Sequence, residues 1–246
     1  MIRITDLHKS FDNNPVLRGV NLNVAAGQSL VIIGGSGTGK SVLFKCILGL
    51  ETPDRGSIHV DGHDVTHTDR APLLRTFGML FQGAALFDGL PVWENVIFRL
   101  ARSGLSKHAL RDLAIAKLRQ VGLGVDVADK FPAALSGGMQ KRVGLARAIA
   151  ADPKIIFFDE PTTGLDPIMA SVINGLIRDI VDETQATAIT ITHNMTTVNA
   201  VADRVAMLHD GVVQWHGDTV DLRHSNDPYL SQFISGNPSG PIPTLR

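Results

Sequence analysis

The chain has 246 residues, 44% of them hydrophobic, with Lys+Arg 23 against Asp+Glu 24 and a formal net charge of -1. That length suits one large domain or two small ones and does not by itself force a split, and the balanced charge argues against nucleic acid as a partner. No apolar run approaches the ~20 residues that span a bilayer, and no apolar segment follows Arg3 as in a secretory leader, so the chain is expected in the cytoplasm.

Residues 2–7 alternate apolar and polar side chains, the pattern of a half-buried strand, and a second strand is expected over 16–24 with its turn at Gly27. Residues 29–33 are apolar without alternation, as in a strand of a parallel sheet covered on both faces. A glycine-rich loop follows at once, and 41–50 then reads as a helix. Leu43, Phe44, Ile47 and Leu48 surround the single cysteine, Cys46, which reads as a buried structural thiol in a reducing compartment.

Residues 51–65 hold strand-like pieces broken by Pro53-Asp54-Arg55-Gly56 and Asp61-Gly62. From about 91 to 121 the pattern turns helical, and a further helix over 138–151 must stop before Pro153. Another doubly covered strand is expected over 155–158, then a helix over 167–181 and a strand over 186–191. A hairpin closes the regular part, 204–208 and 212–215 around Asp210-Gly211. Alternating strands and helices give an α/β fold with a mostly parallel sheet. The helical stretch at about 83–152 reads as an inserted subdomain of one domain over 1–235, with a tail over 236–246.

Gly34-Gly35-Ser36-Gly37-Thr38-Gly39-Lys40-Ser41 fits G-x-x-x-x-G-K-[ST] without a mismatch. Glycines let backbone N–H groups turn toward phosphate oxygens, Lys40 places its charge on the β- and γ-phosphates, and the Ser41 hydroxyl ligates Mg2+. The following helix aims its positive end at the same phosphates. Asp159 and Glu160 close the strand at 155–158, on the edge where open α/β sheets bind ligands. Asp159 is read as a Mg2+ ligand and Glu160 as the group that polarises the attacking water. His59, His63 and His67 would align only on a helix, which Asp61-Gly62 and the strand-like surroundings argue against.

Leu135-Ser136-Gly137-Gly138-Met139-Gln140 resembles the signature motif of the ATP-binding-cassette (ABC) ATPases, and the other motifs keep that family's order over about 1–220. Gln82 after Leu80-Phe81 resembles its Q-loop, Gly164-Leu165-Asp166 its D-loop, His193 its switch histidine, and Phe11 the aromatic that stacks on adenine. The resemblance implies a P-loop NTPase core with an N-terminal antiparallel β piece and ATP and Mg2+ as cofactors. It also implies Gln82 as a further Mg2+ ligand and His193 on the γ-phosphate. Ser136, Gly137 and Gly138 would contact the γ-phosphate held by a second copy, with Asp166 coupling the two sites. Met139 departs from the glutamine that many members carry. The family usually drives transport, so transmembrane permease subunits are implied, received by Gln82-Gly83-Ala84-Ala85-Leu86-Phe87 on the inner face of the cell membrane.

Residues 79–87, Glu94-Asn95-Val96 and the Pro/Gly-rich tail resemble the phospholipid-transport branch typified by MlaF. In that branch the C-terminal extension reaches the partner ATPase subunit, and a lipid-binding periplasmic component takes part. The bland alternative for the tail is a disordered end. Amino-acid or metal-chelate import and a membrane-linked regulator without transport stay open as alternatives. ABC proteins of ribosomes or DNA carry a second cassette or a coiled-coil insert that this sequence lacks.

Overall fold

A computed structural model describes residues 1–67 and 71–243; the tail beyond 243 lies outside the described residues. In chain order the elements are β1 (Ile2–Phe11), β2 (Asn14–Val24), β3 (Ser29–Ile33), α1 (Lys40–Leu48), β4 (Arg55–Val60), β5 (His63–Asp64), α2 (Ala71–Leu74) and β6 (Phe77–Leu80). There follow α3 (Val92–Ile97), α4 (Lys107–Gln120), α5 (Gly137–Ile149), β7 (Ile155–Asp159), α6 (Pro167–Thr184), β8 (Thr187–Ile191), α7 (Met195–Val201), β9 (Arg204–His209), β10 (Val212–Asp218) and α8 (Pro228–Ser235). The chain divides into two units, Met1–Ala71 with Ile191–Arg246, and Pro72–Thr190.

In the first unit β1 lies between β2 and β4, antiparallel to both. Ile2, Ile4 and Leu7 are buried, and the register slips between Ile4 and Leu7, where Asp6 takes a φ of 47°. The slip keeps Leu7 on the covered face despite the odd spacing from Ile4. β4 turns through Asp61 and Gly62 into β5, pairing His59 with Asp64 and Val60 with His63. The first two histidines of the trio therefore sit on a hairpin. All five residues of β3 are buried, and β3 runs parallel to β9, which forms the expected hairpin with β10.

In the second unit the strand order is β8-β7-β6, with β6 and β7 parallel and Leu80 paired to Phe158. Phe77 and Phe157 pack edge to face at 5.0 Å. Helix α5 lies close on β6. A Cβ on Gly78 would collide with the Ala148 carbonyl, and one on Gly144 would stand 2.7 Å from Leu80 Cδ1. These two glycines let helix and strand approach at backbone distance. The expected helical stretch 91–121 is broken: a 3-10 turn over Phe98–Leu100 follows α3, Gly104 takes a φ of 85°, and Ser106 caps α4 by accepting from Ala109 N.

Strand β6 and helices α7 and α8 were not expected from the sequence. Asn194 caps α7 through Thr196 N at 2.8 Å, and Asp227 caps α8 through Leu230 N at 2.8 Å with Pro228 in its first turn. Among the described residues, no helix is long and apolar enough to cross a membrane and no group of His, Cys, Asp and Glu is placed to hold a metal ion.

Candidate functional site

In the first unit the glycine loop fills the turn between buried β3 and α1. Gly39 caps α1 with a φ of 99°, a left-handed conformation that costs a side-chain-bearing residue about 1 kcal/mol or more. A Cβ there would also meet Leu17 and the Val16 carbonyl at 3.0 Å. No side chain caps the start of α1, so its first amides remain suited to an anion. Lys40 Nζ donates to the Gly34 and Gly35 carbonyls at 2.8 and 2.6 Å, and the Thr38 hydroxyl donates to Gly35 O at 3.0 Å. The loop is thus held in its curve by its own side chains, with Ser36, Gly37 and Ser41 exposed.

Strand β2, which carries Val16 and Leu17 against Gly39, also pairs Asn14 with Phe11. The Phe11 ring is 40% exposed, with Lys9 Nζ 5.0 Å from its centroid. The ring is thus partly exposed, with a cation over it. His193 is exposed just after β8, and the preceding Thr192 N donates to Ile32 O, two residues before Gly34. The first unit therefore gathers Phe11, the loop and His193 around the end of β3.

The second unit gathers the remaining residues. Since Leu80 pairs with Phe158, Gln82 and Glu160 each stand two residues beyond the pair, on one edge. Asp159 ends β7 after four buried residues. Glu160 takes a φ of 45° immediately before Pro161, a sparsely populated conformation. Its Oε2 accepts from the Thr163 hydroxyl at 3.3 Å, and its carbonyl accepts from Thr163 N at 3.2 Å. Ser136 caps α5 by accepting from Met139 N at 3.3 Å, and Asp166 caps α6 by accepting from Ile168 N and Met169 N. The two helix starts meet, because a Cβ on Gly138 would run into the Met169 side chain at 2.5 Å.

Near these motifs, Lys141 and Arg147 escaped the sequence reading, and Asn95 entered it only through the branch resemblance, without a structural role. Lys141, 5% exposed on α5, donates to the Gln82 carbonyl and reaches the Glu160 carbonyl at 3.5 Å. Burial lowers its pKa below the usual lysine value, while the Asp159 and Glu160 charges pull it back up. Arg147 on the same helix donates to the carbonyls of Ala84 and Ala85, whose φ angles are 59° and 48°. Fully buried Asn95 accepts from Phe87 N and donates to the carbonyls of Phe87, Leu90 and Pro91. The only sequence signal for them was a polar residue set among apolar ones, such as Asn95 in Val92-Trp93-Glu94-Asn95-Val96-Ile97.

Behind the loop at 82–91 lies an open cleft of about 410 Å³. Trp93, Ile97, Phe98, Leu105 and Leu110 supply its apolar lining, and Phe87 stacks on Phe98 with centroids 4.2 Å apart. In the tail, residues 236–243 turn back on α8: Gln232 accepts from Ile242 N at 2.7 Å and donates to Ile242 O at 3.0 Å.

The family model described as ABC transporter matches residues 17–163. The "Probable ribonucleotide transport ATP-binding protein mkl" of Mycobacterium leprae (strain TN) is 41% identical over 245 residues, covering 98% of this chain and 70% of the relative. "Protein TRIGALACTOSYLDIACYLGLYCEROL 3, chloroplastic" of Arabidopsis thaliana is 37% identical over 262 residues, covering 98% of this chain and 75% of the relative. "Methionine import ATP-binding protein MetN" of Brucella abortus (strain 2308) is 40% identical over 221 residues, covering 88% and 59%. Among solved structures, the dimeric post-hydrolysis state of the ATP-binding cassette MJ0796 bound to ADP and Pi is 30% identical with a TM-score of 0.81, covering 89% of this chain and 99% of the other.

Proposed function

Because the chain belongs to the ABC transporter family, as an ATPase subunit with a P-loop NTPase fold, we propose that it powers a separate membrane permease moving phospholipid across the cell envelope. The observation that carries the ATPase chemistry is the self-braced loop at 34–41, opening onto an uncapped helix start. ATP sits with its base on Phe11, its phosphates against the loop amides and Lys40, and its γ-phosphate toward His193. Glu160 takes a proton from water as the water oxygen bonds to the γ-phosphorus. The bond from that phosphorus to the bridging oxygen breaks, and its electron pair leaves with ADP.

The oxygen donors Ser41, Gln82 and Asp159 are chemically suited to Mg2+, a hard cation. These residues would hold Mg2+ with the nucleotide, and the ion would supply charge neutralisation on the phosphates. A single chain holds one glycine loop and one signature helix. The γ-phosphate is therefore closed over by Ser136, Gly137 and Gly138 of a second copy, and the working unit is a homodimer with Asp166 near the shared boundary. The dimeric form of the MJ0796 cassette supports this reading.

The loop at 82–87 and the apolar cleft beside it receive the permease, which places the chain on the cytoplasmic face of the membrane. Phospholipid is favoured as cargo by the resemblance of residues 79–87 and 94–96 to that transport branch. The Arabidopsis relative, whose name is that of a galactosylated diacylglycerol, supports a glycerolipid cargo more broadly and is similar across 98% of this chain. A lipid-binding periplasmic component completes such a system. Amino-acid import is the second reading, favoured by the methionine import relative.

The test is Glu160→Gln beside Lys40→Ala. Glu160→Gln is expected to bind ATP, accumulate as an ATP-bound dimer by light scattering, and lose about 10²- to 10⁴-fold in turnover; turnover at the wild-type rate would remove Glu160 from the chemistry. Lys40→Ala is expected to lose ATP affinity, and unchanged affinity would count against the loop. Membrane complexes purified through the Glu160→Gln chain are expected to carry a permease and bound phospholipid by mass spectrometry. A permease bearing an amino-acid-binding partner instead would select the second reading.

A further inference from the structure

We infer that Lys141 is a positioning residue for ATP hydrolysis, tying the Gln82 and Glu160 carbonyls to the signature helix and so setting where the Glu160 carboxylate points. The inference rests on the reading of Glu160 as the base. Its geometry is independent of that reading.

Glu160 occupies a left-handed conformation at a position before proline, a strained arrangement that persists only where the surroundings over-determine it. Thr163 supplies two of those constraints, one to the carbonyl and one to the carboxylate. A further one is the buried ammonium of Lys141, whose flexible stem runs from α5 to the edge where β6 and β7 end. A cation between two carbonyls, its charge favoured by the Asp159 and Glu160 carboxylates, is well placed to fix a backbone dipole.

The consequence is mechanical. Lys141 stands five residues after Ser136, on the helix proposed to close over the γ-phosphate of a second copy. Gln82 opens the loop proposed to meet the permease. One ammonium touches the backbone of Gln82 and of Glu160, so displacing either the loop or the helix moves the group that holds Glu160 in its strained conformation. A misplacement on the order of 1 Å at such a base lowers turnover about 10²-fold.

The experiment uses the full-length chain with saturating ATP and Mg2+. Lys141→Met is expected to lower kcat about 10- to 100-fold while KM and Kd for ATP stay within about twofold. Lys141→Arg, which keeps charged donors for both carbonyls, is expected to recover at least half of that loss on a logarithmic scale. In a Glu160→Gln background the same Lys141→Met change is expected to lower single-turnover hydrolysis by less than about twofold, because the carboxylate it aims is gone. A kcat loss of equal size in both backgrounds would overturn the proposal, as would kcat within twofold of wild type or a KM that rises in step. If Lys141→Met does not fold, Lys141→Gln is held to the same criteria. Wild-type turnover by Glu160→Gln alone would instead remove the base itself, so the two failures are told apart.

Discussion

Asn95→Ala should be the most informative stability variant in the second unit. The Asn95 amide is fully buried and makes four bonds to main chain: from Phe87 N at 2.7 Å, and to Leu90 O at 3.0 Å, Phe87 O at 3.1 Å and Pro91 O at 3.3 Å. A net hydrogen bond contributes about 1 kcal/mol. Phe87 is itself half exposed, so water can replace part of what is lost. The two shorter bonds and the partial loss of the others give about 2–3 kcal/mol, or about 4–12 °C in Tm for a chain of this size. Circular-dichroism melts and urea titrations read the effect. Asn95→Asp sharpens the reasoning, because a carboxylate would face three carbonyls with no N–H to give them. Burial and those carbonyls raise its pKa, and a raised carboxyl pKa means that the variant gains stability as pH falls. Asn95→Asp should therefore melt below Asn95→Ala near pH 7 and close the gap toward pH ~5. An Asn95→Ala melt within about 1 °C of wild type would refute the account of this loop.

Two further outcomes follow from local geometry. The Asp64 carboxylate accepts from Thr66 N at 2.8 Å and from the Thr66 hydroxyl, and these bonds hold its pKa below the usual 3.8. A depressed pKa means stability present above that value and lost as pH falls through the lower one. The urea-midpoint gap between wild type and Asp64→Asn should therefore be largest near pH 7 and shrink below pH ~3; a gap unchanged with pH would remove the carboxylate from the account. Gln232→Ala should speed hydrogen exchange at the Ile242 amide by about tenfold or more, because that N–H loses its acceptor. Unchanged exchange would show that the tail is held by something other than Gln232.

Some of this fold was plain in the sequence for a physical reason. Strands covered on both faces are continuous apolar runs, so 29–33 and 155–158 appeared at nearly their true bounds. Strand β6 did not, because four residues with a glycine in the second place look like a turn; Gly78 is there to admit the Ala148 carbonyl. Helix α7 holds Thr196-Thr197-Val198 in its first turn, poor helix formers, and forms on the strength of its Asn194 cap and its buried Thr197, Val198 and Val201. Helix α8 did carry a usable signal, Asp227 as cap with Pro228 behind it.

The motifs of the site divide in the same way. Gly34 to Ser41 can be read in one dimension because neighbours in sequence build the loop and bond one another across five or six positions. Lys141 and Arg147 cannot, since the carbonyls they bond lie 19 to 63 residues away. A carbonyl belongs to every residue type, so no pattern of letters marks Gln82, Ala84 or Ala85 as acceptors. What the letters could show was the mismatch: Lys141 and Arg147 stand on a helix whose residues Val143, Leu145, Ala146 and Ala148 are buried. A charge retained in such surroundings must have compensation. Here the compensation is the backbone of the loop and of Glu160, so the sequence anomaly and the proposed positioning role share one cause.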